Sequence, residues 1–305
     1  MIGFLILHYK NAEETIACVD SIRALAFTDS AYRILIADNA SNNGSYERLA
    51  ALYESCADIT VLAIGANLGF SAGNNAGWAA FPGRESVDFL VVCNSDVIFD
   101  QLDFPEKLYC SWRHAPFDVL GPDIRRPGKG RAVRTSPLAP IRLRESSVRR
   151  SLAIHRARLA AAQGPTPAGR LAGRLHYPGL GLFLWHCWYS LCIRLFSLKN
   201  QLYSPPAQGV LLQGACLIFS RQYLSRYEKL FEPEPFFYYE ELLLWAKGRR
   251  DGLTLRYDPC LQVLHLEGVA TRAEQRDEAR RFLFVQENLL RSEELVLQQT
   301  AELLK

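Results

Sequence analysis

The sequence lacks the signatures of several common classes. It contains no Gly-x-x-x-x-Gly-Lys-[Ser/Thr] loop and no Gly-x-Gly-x-x-Gly turn, which removes the P-loop and Rossmann dehydrogenase readings. Its eight cysteines are scattered, with no Cys-x-x-Cys pair and no His/Cys cluster at zinc spacing. Reduced thiols in a cytoplasmic protein are expected instead. Net charge is only +3, and no recognition module accompanies the basic residues, so no nucleic acid is expected as a partner. No basic leader followed by a long apolar region opens the chain, so no secretory signal is expected. What remains is an ordinary globular composition, 49% hydrophobic and 22% charged over 305 residues. That length allows one large or two modest domains.

The stretch that organises the chain is Phe89 to Cys93, an unbroken apolar run of the kind that forms a strand buried on both faces of a parallel sheet. It ends abruptly in Asn94-Ser95-Asp96. In open α/β sheets ligands bind past the carboxyl ends of the strands. Asp96 there either caps a turn or holds Mg2+ or Mn2+ against a diphosphate. Three earlier strands are expected at Ile2–Leu7, Arg33–Ala37 and Ile59–Ile64, separated by helical patterns. Asn11 and Glu14 have the spacing of a capping box, and Ser71 is placed to cap the helix carrying Asn74 and Asn75. This alternation predicts an α/β fold with a mostly parallel sheet flanked by helices. Each strand ends in polar residues: His8 and Tyr9, Asp38 and Asn39, Asn67, then Asn94 and Asp96. Four such clusters at one sheet edge would line a single pocket.

The segments LILHYKN, IADNASNNGS, ANLGFSAGNNAG and VVCNSDV, in that order, resemble the family 2 glycosyltransferases, particularly the rhamnosyltransferase-like enzymes of bacterial surface polysaccharide synthesis. The resemblance implies a GT-A fold, a nucleotide-sugar-binding sheet. It implies that His8 and Tyr9 lie near the nucleotide and that Asp38, with Asn39, binds base or ribose. Asn67, Gly69, Asn74 and Asn75 would shape the donor wall. Asn94-Ser95-Asp96 stands where the family places its Asp-x-Asp metal motif, so Asp96 is the expected ligand of a divalent cation. The donor would be a dTDP- or UDP-sugar.

Residues 125–205 read as an inserted basic and aromatic helical segment between two halves of the catalytic domain, 1–124 and 206–272, with a tail helix over 273–305. Arg142, Arg144, Arg149, Arg150, Arg156 and Arg158 precede an apolar run from Tyr177 to Phe196. That run is at the short limit for a membrane span, and it contains His186 and Arg194. Residues 142–198 fit a helix lying on an anionic membrane surface, a lipid-linked acceptor site, a packed insertion or a subunit contact in a homodimer.

In the later half, Val210–Ser220 returns to the sheet, with Gly214 either approaching ligand closely or marking a bulge. The segment from Glu232 to Glu241 is expected to open a helix running to about Arg249, and resembles the family's aromatic lead into a pair of acids. By that match Glu241 is the catalytic base and Glu240 the fallback. Val263–Gly268 resembles a further family segment, which would bring His265 to the metal or diphosphate and Thr271 and Arg272 to phosphate. The implied activity is inverting glycosyl transfer to a glycan or lipid-linked acceptor. Two rivals differ in class: a catalytically silent scaffold of the same fold, and a nucleotidyltransferase. The second would want a glycine-rich loop after the first strand, where His8-Tyr9-Lys10-Asn11 has none.

Overall fold

The computed structural model describes residues 1–28, 31–128, 132–139, 144–162, 179–202, 204–266 and 278–300. Thr271, Arg272 and residues 273–277 of the expected tail helix lie outside them.

The first half of the chain alternates as its apolar runs dictate. It gives β1 (Ile2–His8), α1 (Ala12–Arg23), β2 (Tyr32–Asp38), α2 (Ser45–Tyr53), β3 (Ile59–Ala63), α3 (Gly69–Ala79) and β4 (Phe89–Asn94). Short β5 (Val97–Ile98), α4 (Phe104–His114), β6 (Val119–Arg126) and β7 (Val133–Arg134) follow. Two long helices come next, α5 (Glu145–Ala162) and α6 (Leu180–Leu202). The chain then returns to the sheet as β8 (Ala207–Gln208) and β9 (Cys216–Ser220), with α7 (Arg221–Arg226) beyond them. The last elements are α8 (Glu240–Asp251), β10 (Leu255–His265) and α9 (Glu278–Thr300).

All ten strands join one sheet along the path β3-β2-β1-β4-β9-β6-β10-β5, with β7 beside β6 and β8 beside β10. The six long strands share one direction, and β9 runs against both of its neighbours. Side chains alternate across the sheet. Ile2, Phe4 and Ile6 pack with α1, α2 and α4 on one face, while Leu5, Leu90 and Val92 pack with α3, α7 and α8 on the other. Val148 of α5, Leu242 and Leu243 of α8 and Val296 of α9 form a smaller core beside the sheet.

Local structure departs from the sequence reading, or adds to it, in four places. Helix α3 begins at Gly69 rather than after Ser71, because Gly69 adopts φ +76° and turns the chain early. The Ser71 hydroxyl is then buried inside the first turn without a hydrogen-bond partner. The stretch 232–239 is not helical: Pro233 and Pro235 lack the N–H a helix needs, and Tyr238 and Tyr239 are left-handed. Strand β10 passes a register shift between Asp258 and Gln262, around Pro259, and continues to His265. Finally, the buried side of α9 is rich in polar groups. Ser292 donates to the Phe237 carbonyl at 2.7 Å, and Glu293 meets the Tyr239 hydroxyl at 2.5 Å and His155 at 3.0 Å.

Two buried polar residues lock helices to the sheet. Arg256 on β10 donates to the carbonyls of Ser111 (3.0 Å) and Ala115 (2.7 Å) at the end of α4, and pairs with Asp258 at 2.8 Å. Removing one partner of such a pair strands the other charge in the core. Arg256→Met is therefore expected to lower stability by about 3–5 kcal/mol in urea denaturation.

His8, at the end of β1, is fully buried and bonds Thr15 of α1 at 2.6 Å and Ser45 of α2 at 2.8 Å. Burial pushes its pKa from 6.5 to about 4, against the opposing pull of Asp38 at 3.7 Å. A histidine with a depressed folded pKa supports the fold above its unfolded pKa and loses that contribution as pH falls. Relative to His8→Asn, the native protein should lose up to about 3 kcal/mol between pH 6.5 and 4, read from denaturation midpoints across that range.

Candidate active site

Strand register builds the site. His8 pairs with Asp38, Leu7 with Asn94 and Asp38 with Ala63, so β1, β2, β3 and β4 end on one rim. The opposed β9 starts at the same rim, where the Asn94 N–H donates to the Ala215 carbonyl at 3.0 Å. Across it, His265 pairs with Val97 in the β10–β5 ladder, which delivers the imidazole to Asp96.

A cavity of about 320 Å³ opens on this rim. Tyr9, Asn39, Asn67, Asn94, Ser95, Asp96, Gly214, Glu240, Glu241 and His265 all line it. Residues far apart in sequence thus share one space, with Asp96 and Glu241 in the same wall system. Five other expected site residues lie outside its lining. His8 sits beneath the rim, as described. Asp38 accepts from the Ser41 backbone at 3.3 Å and from the Ser41 hydroxyl, which closes the turn after β2. Gly69 forms the entry to α3. Asn74 donates to its own helix at the Phe70 carbonyl (2.9 Å). Asn75 reaches the other way, donating to Phe231 O and Glu234 and accepting from Leu230 and Phe231, and so fixes the chain leading to the acidic pair.

The rim loops are stitched to one another. Asn39 donates to Asn67 at 3.0 Å and to the Gly69 carbonyl at 3.1 Å, and accepts from the Leu68 N–H at 2.9 Å. The Phe70 N–H then bonds the Phe236 carbonyl at 2.8 Å. A Cβ on Gly69 would collide with that carbonyl, so only glycine permits the contact. The five left-handed non-glycine residues among those described are Lys10, Ala40, Asn42, Tyr238 and Tyr239. All lie in loops that frame this rim, and each conformation costs about 1–2 kcal/mol.

The two acids differ sharply. Glu240 is buried with one carboxylate oxygen lacking any hydrogen-bond partner, and burial, with Glu241 adding to it, raises its pKa well above the usual range. Glu241 accepts from the Gly214 N–H at 3.2 Å. The tight approach of the Gly214 backbone holds that carboxylate at the cavity wall.

On the opposite wall, His265 Nε2 lies 3.0 Å from Asp96 Oδ1, and His265 Nδ1 is buried without a hydrogen-bond partner. Glu14 stands close behind. Burial, followed by the charge of Asp96, pushes its pKa up to about 7. Among the described residues no group of three or more His, Cys, Asp or Glu side chains is gathered as a metal cage. A carboxylate and an imidazole side by side still suit Mn2+ or Mg2+, ions that take a few protein donors and complete their shell with phosphate oxygens and water.

Gln213 and Phe284 also line the cavity and lie outside the sequence expectations. Gln213 precedes the Gly214 segment, so its place was within reach. Phe284 sits on α9 and stacks edge-on against Phe236 and Phe237, at 6.4 and 6.0 Å between ring centres. Helical periodicity marks such a residue only as apolar.

Solved structures are similar to this chain in fold. S. aureus TarS residues 1–349 align over 97% of this chain and 71% of that chain, at 11% identity and a TM-score of 0.52. A mannosyltransferase from Pyrobaculum calidifontis in complex with GDP-Man and Mn2+ aligns over 98% and 74%, at 11% identity and a TM-score of 0.50. With TarS bound to UDP-GlcNAc the alignment spans 43% of this chain and 36% of that chain, at 14% identity and a TM-score of 0.37. No curated protein matches the sequence. The curled, mostly parallel sheet with its flanking helices is the GT-A arrangement. The glycosyl transferase family 2 model matches residues 4–167, more than half of the 305. The chain belongs to glycosyl transferase family 2.

Proposed function

We propose that the protein transfers a sugar from a nucleotide-sugar to a hydroxyl of a glycan or lipid-linked acceptor, with inversion, in bacterial surface polysaccharide synthesis. The observation that carries this reading is the shared cavity with Asp96 and Glu241 in its walls. The sugar is of the hexosyl or rhamnosyl type, and the donor is a dTDP- or UDP-sugar. TarS is described with UDP-GlcNAc and the Pyrobaculum calidifontis mannosyltransferase with GDP-Man and Mn2+, which supports a nucleotide-sugar donor.

In this reading Tyr9, Asn39 and Asn67 contact the nucleotide, and Asn94, Ser95 and Gly214 frame the diphosphate and sugar. Asp38, Gly69, Asn74, Asn75 and His8 hold the loops that form this wall. Asp96 and His265 would hold a divalent cation, which when bound stabilises the negative charge of the departing diphosphate. Glu241 is the base: it takes the proton of the acceptor hydroxyl as that oxygen bonds the anomeric carbon. The bond from that carbon to the diphosphate oxygen breaks, and its electron pair leaves with the nucleoside diphosphate. Glu240 is the fallback base, and burial, followed by the charge of Glu241, raises its pKa well above the usual carboxylate range.

Two substitutions test these roles, with ligand-induced thermal shifts against UDP-, dTDP- and GDP-sugars, with and without Mn2+, as the binding readout. Asp96→Ala should abolish the Mn2+-dependent part of the shift and lower turnover roughly 100-fold or more. Full Mn2+-dependent turnover in that variant would exclude the arrangement. Glu241→Gln should keep the donor-induced shift and lose roughly 100- to 10,000-fold in the transfer rate. A shift without any transfer or donor hydrolysis by the native protein would favour the silent scaffold instead.

A further inference from the structure

A second cavity, of about 350 Å³, adjoins the first on the side away from Asp96. Tyr238, Glu240 and Glu241 line both, so the acidic pair forms the partition between them. The remaining lining is mainly apolar: Leu138, Ile193, Leu211, Leu242 and Leu289, with Tyr189 and Tyr239. Nothing in the donor chemistry uses this space. A nucleotide and its diphosphate need the polar rim, whereas these walls suit hydrocarbon.

Helix α6 supplies Tyr189 and Ile193 to the cavity from its inner side. Its outer side is unusual. Of the ten large exposed apolar side chains among the described residues, seven are on this helix: Leu180, Phe183, Leu184, Trp188, Leu191, Leu195 and Leu198. Six of them recur every three or four residues and form one stripe. The helix has no acidic residue, and Arg194 and Lys199 on it are exposed. Arg150 of α5 adds a further cation, 5.7 Å from the Trp185 ring. No helix among the described residues is long and apolar enough to cross a membrane. An apolar stripe on a helix whose own charged residues are all cationic is complementary to an anionic lipid surface, which accepts apolar side chains between its headgroups.

We propose that the second cavity is the acceptor subsite, and that it takes an acceptor built on a hydrocarbon chain, drawn from an anionic lipid surface on which α6 rests. The chain lies among Leu138, Ile193, Leu211 and Leu289, and its hydroxyl-bearing end reaches Glu241 from the side opposite Asp96. This rests on the glycosyl-transfer reading and specifies its acceptor class.

Three measurements test it on the full chain. Sedimentation with vesicles should show binding to phosphatidylcholine containing phosphatidylglycerol and much weaker binding to phosphatidylcholine alone. The double change Leu191→Glu/Leu195→Glu, at exposed positions, should abolish that binding. For the cavity, n-octyl β-D-glucoside below its micelle concentration should bind while methyl β-D-glucoside does not, and Ile193→Phe should weaken the octyl glucoside by at least about tenfold. Nucleotide-sugar thermal shifts on the same preparations serve as the control. If those shifts are absent, the glycosyl-transfer reading fails. If they are present but vesicle binding survives the double change, or the two glucosides behave alike, the acceptor inference fails. A dimer that the double change splits, with no vesicle binding, also overturns it and makes the stripe a subunit contact.

Discussion

The constraint on which the molecule depends is the hydrogen-bonded register that ends four parallel strands on one line. Because β1 is flanked by β2 and β4 with His8 opposite Asp38 and Leu7 opposite Asn94, the polar tail of each strand emerges at the same height. A slip of one residue would turn every strand's side chains to the opposite face. Those side chains are buried on both sides of the sheet, so the hydrophobic cores enforce the register and the register in turn places the site. Strand β9 completes the line by running the other way, which is how a segment 122 residues downstream of Asn94 begins where β4 ends.

Much of this was legible from residues alone, and the reasons are physical. Phe89–Cys93 is apolar without interruption because both its faces are covered, and Asn94-Ser95-Asp96 marks where cover stops. Asn11 indeed caps α1, with Glu14 N–H donating to its side chain at 3.5 Å. The sequence could not distinguish polar residues that face the cavity from those that brace it. Asn39 and Asn67 do both, whereas Asn75 spends all its bonds on the chain from Leu230 to Glu234. Asn39 and Asn67 follow strand ends and Asn75 lies in α3, yet in the sequence all three read as polar asparagines of the same segment pattern. Nor could periodicity reveal that α9 buries Ser292 and Glu293, since their partners Phe237, Tyr239 and His155 lie more than 50 residues away.

The acidic pair is held by a different principle from Asp96 and His265. Asp96 stands in the two-residue turn between β4 and β5, but Glu240 and Glu241 follow two consecutive left-handed tyrosines. That conformation persists because the surroundings over-determine it: Phe236 is tied to α3, Phe237 to Ser292 and Tyr239 to Glu293. Strain at the loop is offset by contacts from two separate helices, α3 and α9. The same turn sets the two acids side by side, with Glu241 accepting from the Gly214 N–H and one Glu240 carboxylate oxygen left without a partner.

The pocket therefore has walls of two origins. One is the sheet rim, and the other is a scaffold of α5, α6 and α9 that meets the rim through the aromatic loop, the acids and Phe284. Substitutions in those helices can reshape the second wall without shifting a strand. A lineage could change what receives the sugar while its grip on the activated donor stays as inherited.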